Sequence, residues 1–145
     1  IATSIMVWES MRAIKIIEKN FSLSIELIDL HCISKCDQSL ILKSIKKTKK
    51  VIIVDTSWKE FGVASEISRL ICENIPDFLE KPLISICNQA TPCPTSKRLE
   101  NYFYPSVQEI FKNILKICSI EKKKDVILKK YLHTTEYFRQ FKGPF

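Results

Sequence analysis

Glycine is nearly absent: the chain has two, Gly62 and Gly143. A dinucleotide fingerprint or a phosphate loop needs several, because the backbone must approach phosphate closely. Both motifs are excluded. Long apolar runs are missing too, and no stretch approaches the roughly 20 residues that span a bilayer. There is no CxxC pair and no ligand set with zinc spacing. No stacking aromatics interleave with the basic residues, as single-strand and RNA-binding surfaces require. Internal repeats and low-complexity segments are also lacking. These gaps argue for no membrane span and no nucleic-acid partner.

What is present suits one small domain. The 145 residues are 46% hydrophobic, and a chain of this size buries roughly two thirds of its unfolded surface. The net charge is +7. The lysines cluster at Lys46, Lys47, Lys49 and Lys50 and at Lys122, Lys123, Lys124, Lys129 and Lys130, where solvated helix ends and linkers are the plain explanation. Cys72, Cys87 and Cys118 sit among apolar residues, as buried thiols do. Cysteines used this way point to a reducing, cytoplasmic setting. His31, Cys32, Cys36 and Asp37 form a metal-like cluster, for which a strand end followed by a helix cap is the plainer reading. The opening Ile1-Ala2-Thr3-Ser4 lacks a basic segment and an initiator Met, which reads as an interior piece of a longer chain.

Apolar runs and helical stripes alternate along the chain. Ser4 to Trp8 predicts a strand, and Met11, Ile14 and Ile17 predict a helix from about Ser10 to Asn20. Ser24 to Leu30 reads as a strand ending near Asp29. Asp37 is placed to cap a helix that carries Leu40, Ile41, Leu42 and Ile45 and ends in lysines, which suit its negative pole. Val51-Ile52-Ile53-Val54 is a strand covered on both faces, as in a parallel sheet. Trp58 to Gly62 reads as a loop, Val63, Ile67, Leu70 and Ile71 as a helix stripe, and Leu83 to Cys87 as a strand. Asn88 to Ser96 is a loop. Val107, Ile110, Phe111, Ile114 and Leu115 mark an amphipathic helix, with Pro105 at its first turn. After Cys118 the composition changes to a basic helix and an aromatic tail. The pattern predicts an α/β fold, a three-layer α/β/α sandwich with a mostly parallel sheet. The division is a domain over 1–118 and a tail over 119–145.

Candidates for chemistry are sparse. Cys32, Cys36 and Cys93, with His31 or His133, are the nucleophile candidates, but no local signature surrounds any of the cysteines. Asp29, Asp37 and Asp55 fall at strand ends or at a cap, and in open α/β sheets the strand ends form the ligand crevice. Asp55 follows the buried strand directly, although a turn or cap explains it more simply. Trp58 and Phe61 are two large aromatics in one short loop. They are either core or subunit contact, and Gly62 then supplies an unusual backbone angle or a close chain approach.

Several of these stretches occur together in a known family. Leu27-Ile28-Asp29-Leu30, Asp37, Ser44 to Thr48, Val51 to Asp55, Trp58 to Ile67, Pro92-Cys93-Pro94, Leu99-Glu100 and Pro105 stand in order. From about Thr3 to Cys118 the chain resembles the C-terminal domain of the beta subunit of thiamine-diphosphate-dependent 2-oxoacid (pyruvate-type) dehydrogenases, of the transketolase C-terminal domain type. The resemblance implies a five-stranded mixed sheet with one antiparallel strand. It implies a non-catalytic assembly and partner-binding role in an enzyme that oxidatively decarboxylates a 2-oxo acid, and a fragment inactive alone. Thiamine diphosphate and Mg2+ would be bound by other domains, with no catalytic, cofactor or metal residue here. The implied partners are the protein's own N-terminal pyrimidine-binding domain, an alpha subunit, a second beta subunit and a lipoyl acyltransferase. The interface residues expected are Trp58, Phe61, Gly62 and Glu66, and the ligand-crevice residues are His31, Asp55, Thr56 and Asn88. The alternative is a small-anion or regulatory-ligand binding module of a divergent transketolase-like protein, its lysine-rich rim attracting the ligand. The sequence departs from the family pattern at Glu9, His31, Lys35-Cys36, Ser85, Asn88 and Ala90, which marks a divergent homologue.

Overall fold

The computed structural model describes residues 1–120 and Ile127. The basic helix and aromatic tail expected over 119–145, with His133, therefore lie almost wholly outside the described residues. Helix α1 spans Met6–Asn20, α2 Gln38–Thr48, strand β1 Ile52–Trp58, α3 Val63–Asn74, strand β2 Ile84–Asn88, α4 Lys97–Phe103 and α5 Val107–Ile117; a short 3-10 turn covers Pro76–Phe78.

The centre is a parallel pair. β1 and β2 align Ile52 with Ile84, Ile53 with Ser85 and Val54 with Ile86, and after an irregularity Trp58 meets Asn88. Two further segments continue the sheet without forming full strands. Ala2 bridges in parallel to both Val54 and Asp29, through Ala2 N to Ile28 O at 2.9 Å, Leu30 N to Ala2 O at 2.9 Å and Thr3 N to Val54 O at 3.2 Å. The lateral order is thus Asp29, Ala2, β1, β2. Among the described residues there is a two-stranded sheet with two bridged neighbours, all parallel. The expected five strands, one of them antiparallel, are not found there.

Helices cover both faces. On one, α1 and α5 pack Ala13, Ile14, Ile17, Ile110, Phe111 and Leu115 against Ala2, Val54 and Ile86. On the other, α2 and α3 pack Ile41, Ile45, Ile67 and Ile71 against Val51 and Ile53. Ile53 and Val54 go to opposite clusters because successive strand side chains alternate faces, so the unbroken apolar run is buried on both sides.

Several expectations change. The strand expected over Ser4–Trp8 is helix, and α1 begins at Met6 rather than Ser10. Pairing stops at Thr3, Ser4 turns the chain with φ 48°, and Met6 N bonds back to Thr3 O at 3.0 Å. A five-residue apolar run fits either element, and only its neighbours decide. The strand at Ser24–Leu30 shrinks to one bridge at Asp29, while β1 runs past Val54 to Trp58, into the stretch expected to be loop. Cys72 is exposed and Cys87 and Cys118 are half-buried, rather than all being core thiols; the six cysteines are unpaired. The caps agree in part. Asp37 accepts from Leu40 N at 3.0 Å, but Ser106, not Pro105, starts α5 by accepting from Glu109 N at 3.2 Å.

Candidate functional site at the carboxyl end of the sheet

A crevice of about 770 Å³ opens where Thr3, Leu30 and β1 end side by side. This is the position at which open α/β sheets hold ligands. His31, Asp55 and Thr56 line it, together with Thr3, Asp29 and Ser57. Its apolar wall includes Trp8 and Ile33.

Asp55 is buried within β1 rather than at a turn. The Thr3 hydroxyl donates to its Oδ1 at 2.6 Å and the Ser57 hydroxyl to its Oδ2. Each oxygen has a donor, so the carboxylate ties the opening segment to β1. Asn88 is also buried, but it does not line the crevice. Its Nδ2 donates to Thr56 O at 2.6 Å, fastening the ends of β1 and β2, and its Oδ1 has no partner among the described residues. Three of the four expected crevice residues are therefore brought together, and the fourth holds one of them from behind. Thr3, Trp8 and Ile33 escaped the sequence reading. The apolar run around Trp8 fits a strand as well as a helix, and nothing local marks a threonine fifty residues upstream as the partner of Asp55.

The crevice holds no catalytic constellation. Burial, with Asp55 nearby, pushes the Cys87 thiol up to about 11, so it stays protonated at neutral pH. Cys32 lies 3.7 Å from the Ser34 hydroxyl, which holds its thiol below the usual value. Cys93 lies 3.7 Å from the Tyr104 hydroxyl. Neither thiol meets a histidine among the described residues. His31, Cys32, Cys36 and Asp37 do not converge, and no three His, Cys, Asp or Glu side chains among the described residues could hold a metal ion. Asp29 and Asp55 face the opening and neither lysine nor arginine lines it. The expected lysine-rich rim is elsewhere, so a diphosphate with Mg2+, or a small anion, does not suit this donor set.

None of the four expected interface residues, Trp58, Phe61, Gly62 and Glu66, lines the crevice, although Ser57 and Val63 on either side of the Trp58–Gly62 stretch do. Trp58 is 55% exposed and Phe61 fully exposed, so neither is core among the described residues. Phe61 adopts the left-handed φ of 58°. Gly62 does not; its φ is −86°. Of the two roles expected for Gly62, the close approach is the one seen: a Cβ there would lie 2.2 Å from Trp58 O and from Ser57 Oγ. Glu66 is exposed and paired along α3 with Arg69 at 2.6 Å, which holds its carboxyl below the usual range.

This chain is similar to known proteins in sequence and in fold. The family model described as "Transketolase, C-terminal domain" matches residues 1–110. The mitochondrial pyruvate dehydrogenase E1 component subunit beta of Saccharomyces cerevisiae is 33% identical over 113 residues, 77% of this chain and 31% of that protein. The mitochondrial 2-oxoisovalerate dehydrogenase subunit beta of Dictyostelium discoideum is 34% identical over 106 residues, 73% of this chain and 28% of that protein. The chain thus spans about 30% of the length of these relatives. A solved structure entitled "Split gene transketolase, inactive beta4 tetramer" superposes with a TM-score of 0.70 at 16% identity, over 83% of this chain and 39% of that one, and shares the fold.

Proposed function

Because the chain belongs to the transketolase C-terminal domain family, we propose that it is the assembly and partner-binding domain of a thiamine-diphosphate-dependent 2-oxoacid dehydrogenase beta subunit. In that reading other domains bind thiamine diphosphate and Mg2+, and the whole enzyme oxidatively decarboxylates a 2-oxo acid. The partners are its own pyrimidine-binding domain, an alpha subunit, a second beta subunit and a lipoyl acyltransferase. Residues 1–118 form the domain and 119–145 an appended tail. Six unpaired cysteines suit a reducing, cytoplasmic setting.

The observation that carries the proposal is the uncovered pair Trp58 and Phe61. Aromatics that the domain leaves in water are the residue type that anchors protein contacts. In the full-length beta chain with its alpha partner, Trp58→Ala or Phe61→Ala is expected to weaken assembly at least tenfold (about 1.4 kcal/mol) in sedimentation velocity. The thermal midpoint of the domain should hardly move. Unfolding of the domain with assembly of the remainder untouched would reject the proposal.

A further inference from the structure

The uncovered surface is wider than the Trp58–Phe61 loop. Trp8, in the first turn of α1, is 56% exposed and Ile33 is 58% exposed, and both line the crevice. Two separate segments thus present large apolar side chains around one opening, and Ser57 and Val63, which flank the Trp58–Gly62 stretch, line it as well. Single exposed apolar residues are ordinary, whereas a cluster from distant segments around a concavity marks an interaction surface.

The charge inside is one-sided. The chain carries 23 Lys and Arg against 16 Asp and Glu, yet Asp29 and Asp55 line the crevice with His31, and no lysine or arginine does. The Asp55 carboxylate is occupied by two hydroxyls. Asp29 is exposed, and its carboxylate has no ion pair among the described residues. An acidic floor under an aromatic and aliphatic rim complements a cation carried on an apolar segment. A guanidinium pairs with a carboxylate and stacks on an indole face at once.

Building on the partner-binding reading, we infer that this crevice receives a cationic side chain, an arginine or lysine flanked by apolar residues, from a partner protein chain. Trp8 and Ile33 cover the apolar flanks and Asp29 pairs with the charge. Electrostatic matching of this kind sets which partner docks, and in what register.

Trp8, one of the two tryptophans of the chain, lines the crevice, so intrinsic emission of the 145-residue protein reports on this face. Titration with N-acetyl-arginine methylamide should give a saturable emission change. Its half-point should lie about tenfold below that of the neutral N-acetyl-norleucine methylamide, and inorganic phosphate should give no change. Asp29→Asn should weaken the arginine response about threefold, and Trp8→Ala should remove most of it with the thermal midpoint held. A response to phosphate, equal responses to the arginine and norleucine probes, or an unchanged response in both variants would each overturn the inference. So would a dimer of the free chain that buries the face and is indifferent to the arginine probe. Should Trp58→Ala and Phe61→Ala still break assembly while the arginine probe fails, the interface stands and its cationic occupant is rejected.

Discussion

The two ends of the sheet are finished in opposite ways. At the amino end, Lys50 and Lys49 meet Glu80 at 2.8 and 3.9 Å, Lys47 pairs with Glu26, and the Lys46 ammonium lies 5.3 Å from the centre of the Phe78 ring. Charges are matched in solvent and the exposed ring has a cation over it. At the carboxyl end Asp55 is buried and satisfied, while Asp29 is exposed and Trp8, Ile33, Trp58 and Phe61 stand in water. Water solvates a charged surface at little cost, but each exposed aromatic forgoes the burial its area offers. The amino end pairs its charges within this chain, whereas the carboxyl end leaves its large apolar side chains exposed, which is what the proposed partner contact would cover.

The strongest way to break the comparison is to remove the anchor of the carboxyl end. Asp55→Ala takes the acceptor from Thr3 and Ser57 and should cost about 3 kcal/mol, measured as a drop in the urea midpoint. A cost below about 1 kcal/mol would mean the carboxylate does not tie the two segments. Gly62→Ala comes next. The Trp58 carbonyl is fixed in the backbone, so the added Cβ should force the 58–62 loop apart at about 2 kcal/mol, visible in the same measurement and in weakened assembly.

A matched pair of glycine substitutions sharpens the contrast. Lys49 ends α2 with φ 57° and Phe61 precedes α3 with φ 58°, a region that costs side-chain-bearing residues about 1 kcal/mol. Each replacement by glycine should raise stability by at most about 0.5 kcal/mol once glycine's own entropy cost is subtracted. Only Phe61→Gly should weaken assembly. Equal behaviour of the two variants would erase the distinction between the ends.

The smallest effect is expected from Glu80→Gln. The hydrogen bond from Lys50 holds the Glu80 carboxyl below its ordinary range. A carboxyl lowered in the folded state contributes stability above its unfolded value, and that contribution is lost as pH falls through the folded one. The parent chain should therefore lose slightly more stability than Glu80→Gln on acidification below the ordinary carboxylate range, compared by unfolding curves. Added salt should shrink the difference.

Much of this was legible in the order of residues, and the failures have a common cause. The stripe from Val107 to Leu115 admits only a helix, because five apolar residues share one face. Val51 to Val54 admits only a strand buried on both sides. Asp37 caps α2 through a bond three residues away, well within local reach. Ser4 to Trp8 failed because so short an apolar run satisfies both periods. The crevice was legible as a set of strand ends, which placed His31, Asp55 and Thr56. Thr3 and Trp8 were missed because their roles depend on which segment lies beside β1.

By itself the sequence determined the helix faces, the two-sided burial of β1, the absence of a phosphate loop and the membership in a family, since each rests on spacing or residue type within a short window. Tertiary structure alone decided that Ala2 sits between Asp29 and Val54, that Asp55 is bound by Thr3 and not free, that Gly62 is required by a neighbouring carbonyl and not by its own angle, and that four large apolar residues share one uncovered end. These are contacts between residues far apart in the chain. Hydrogen bonding and burial depend on distance in space, which spacing along the chain does not encode.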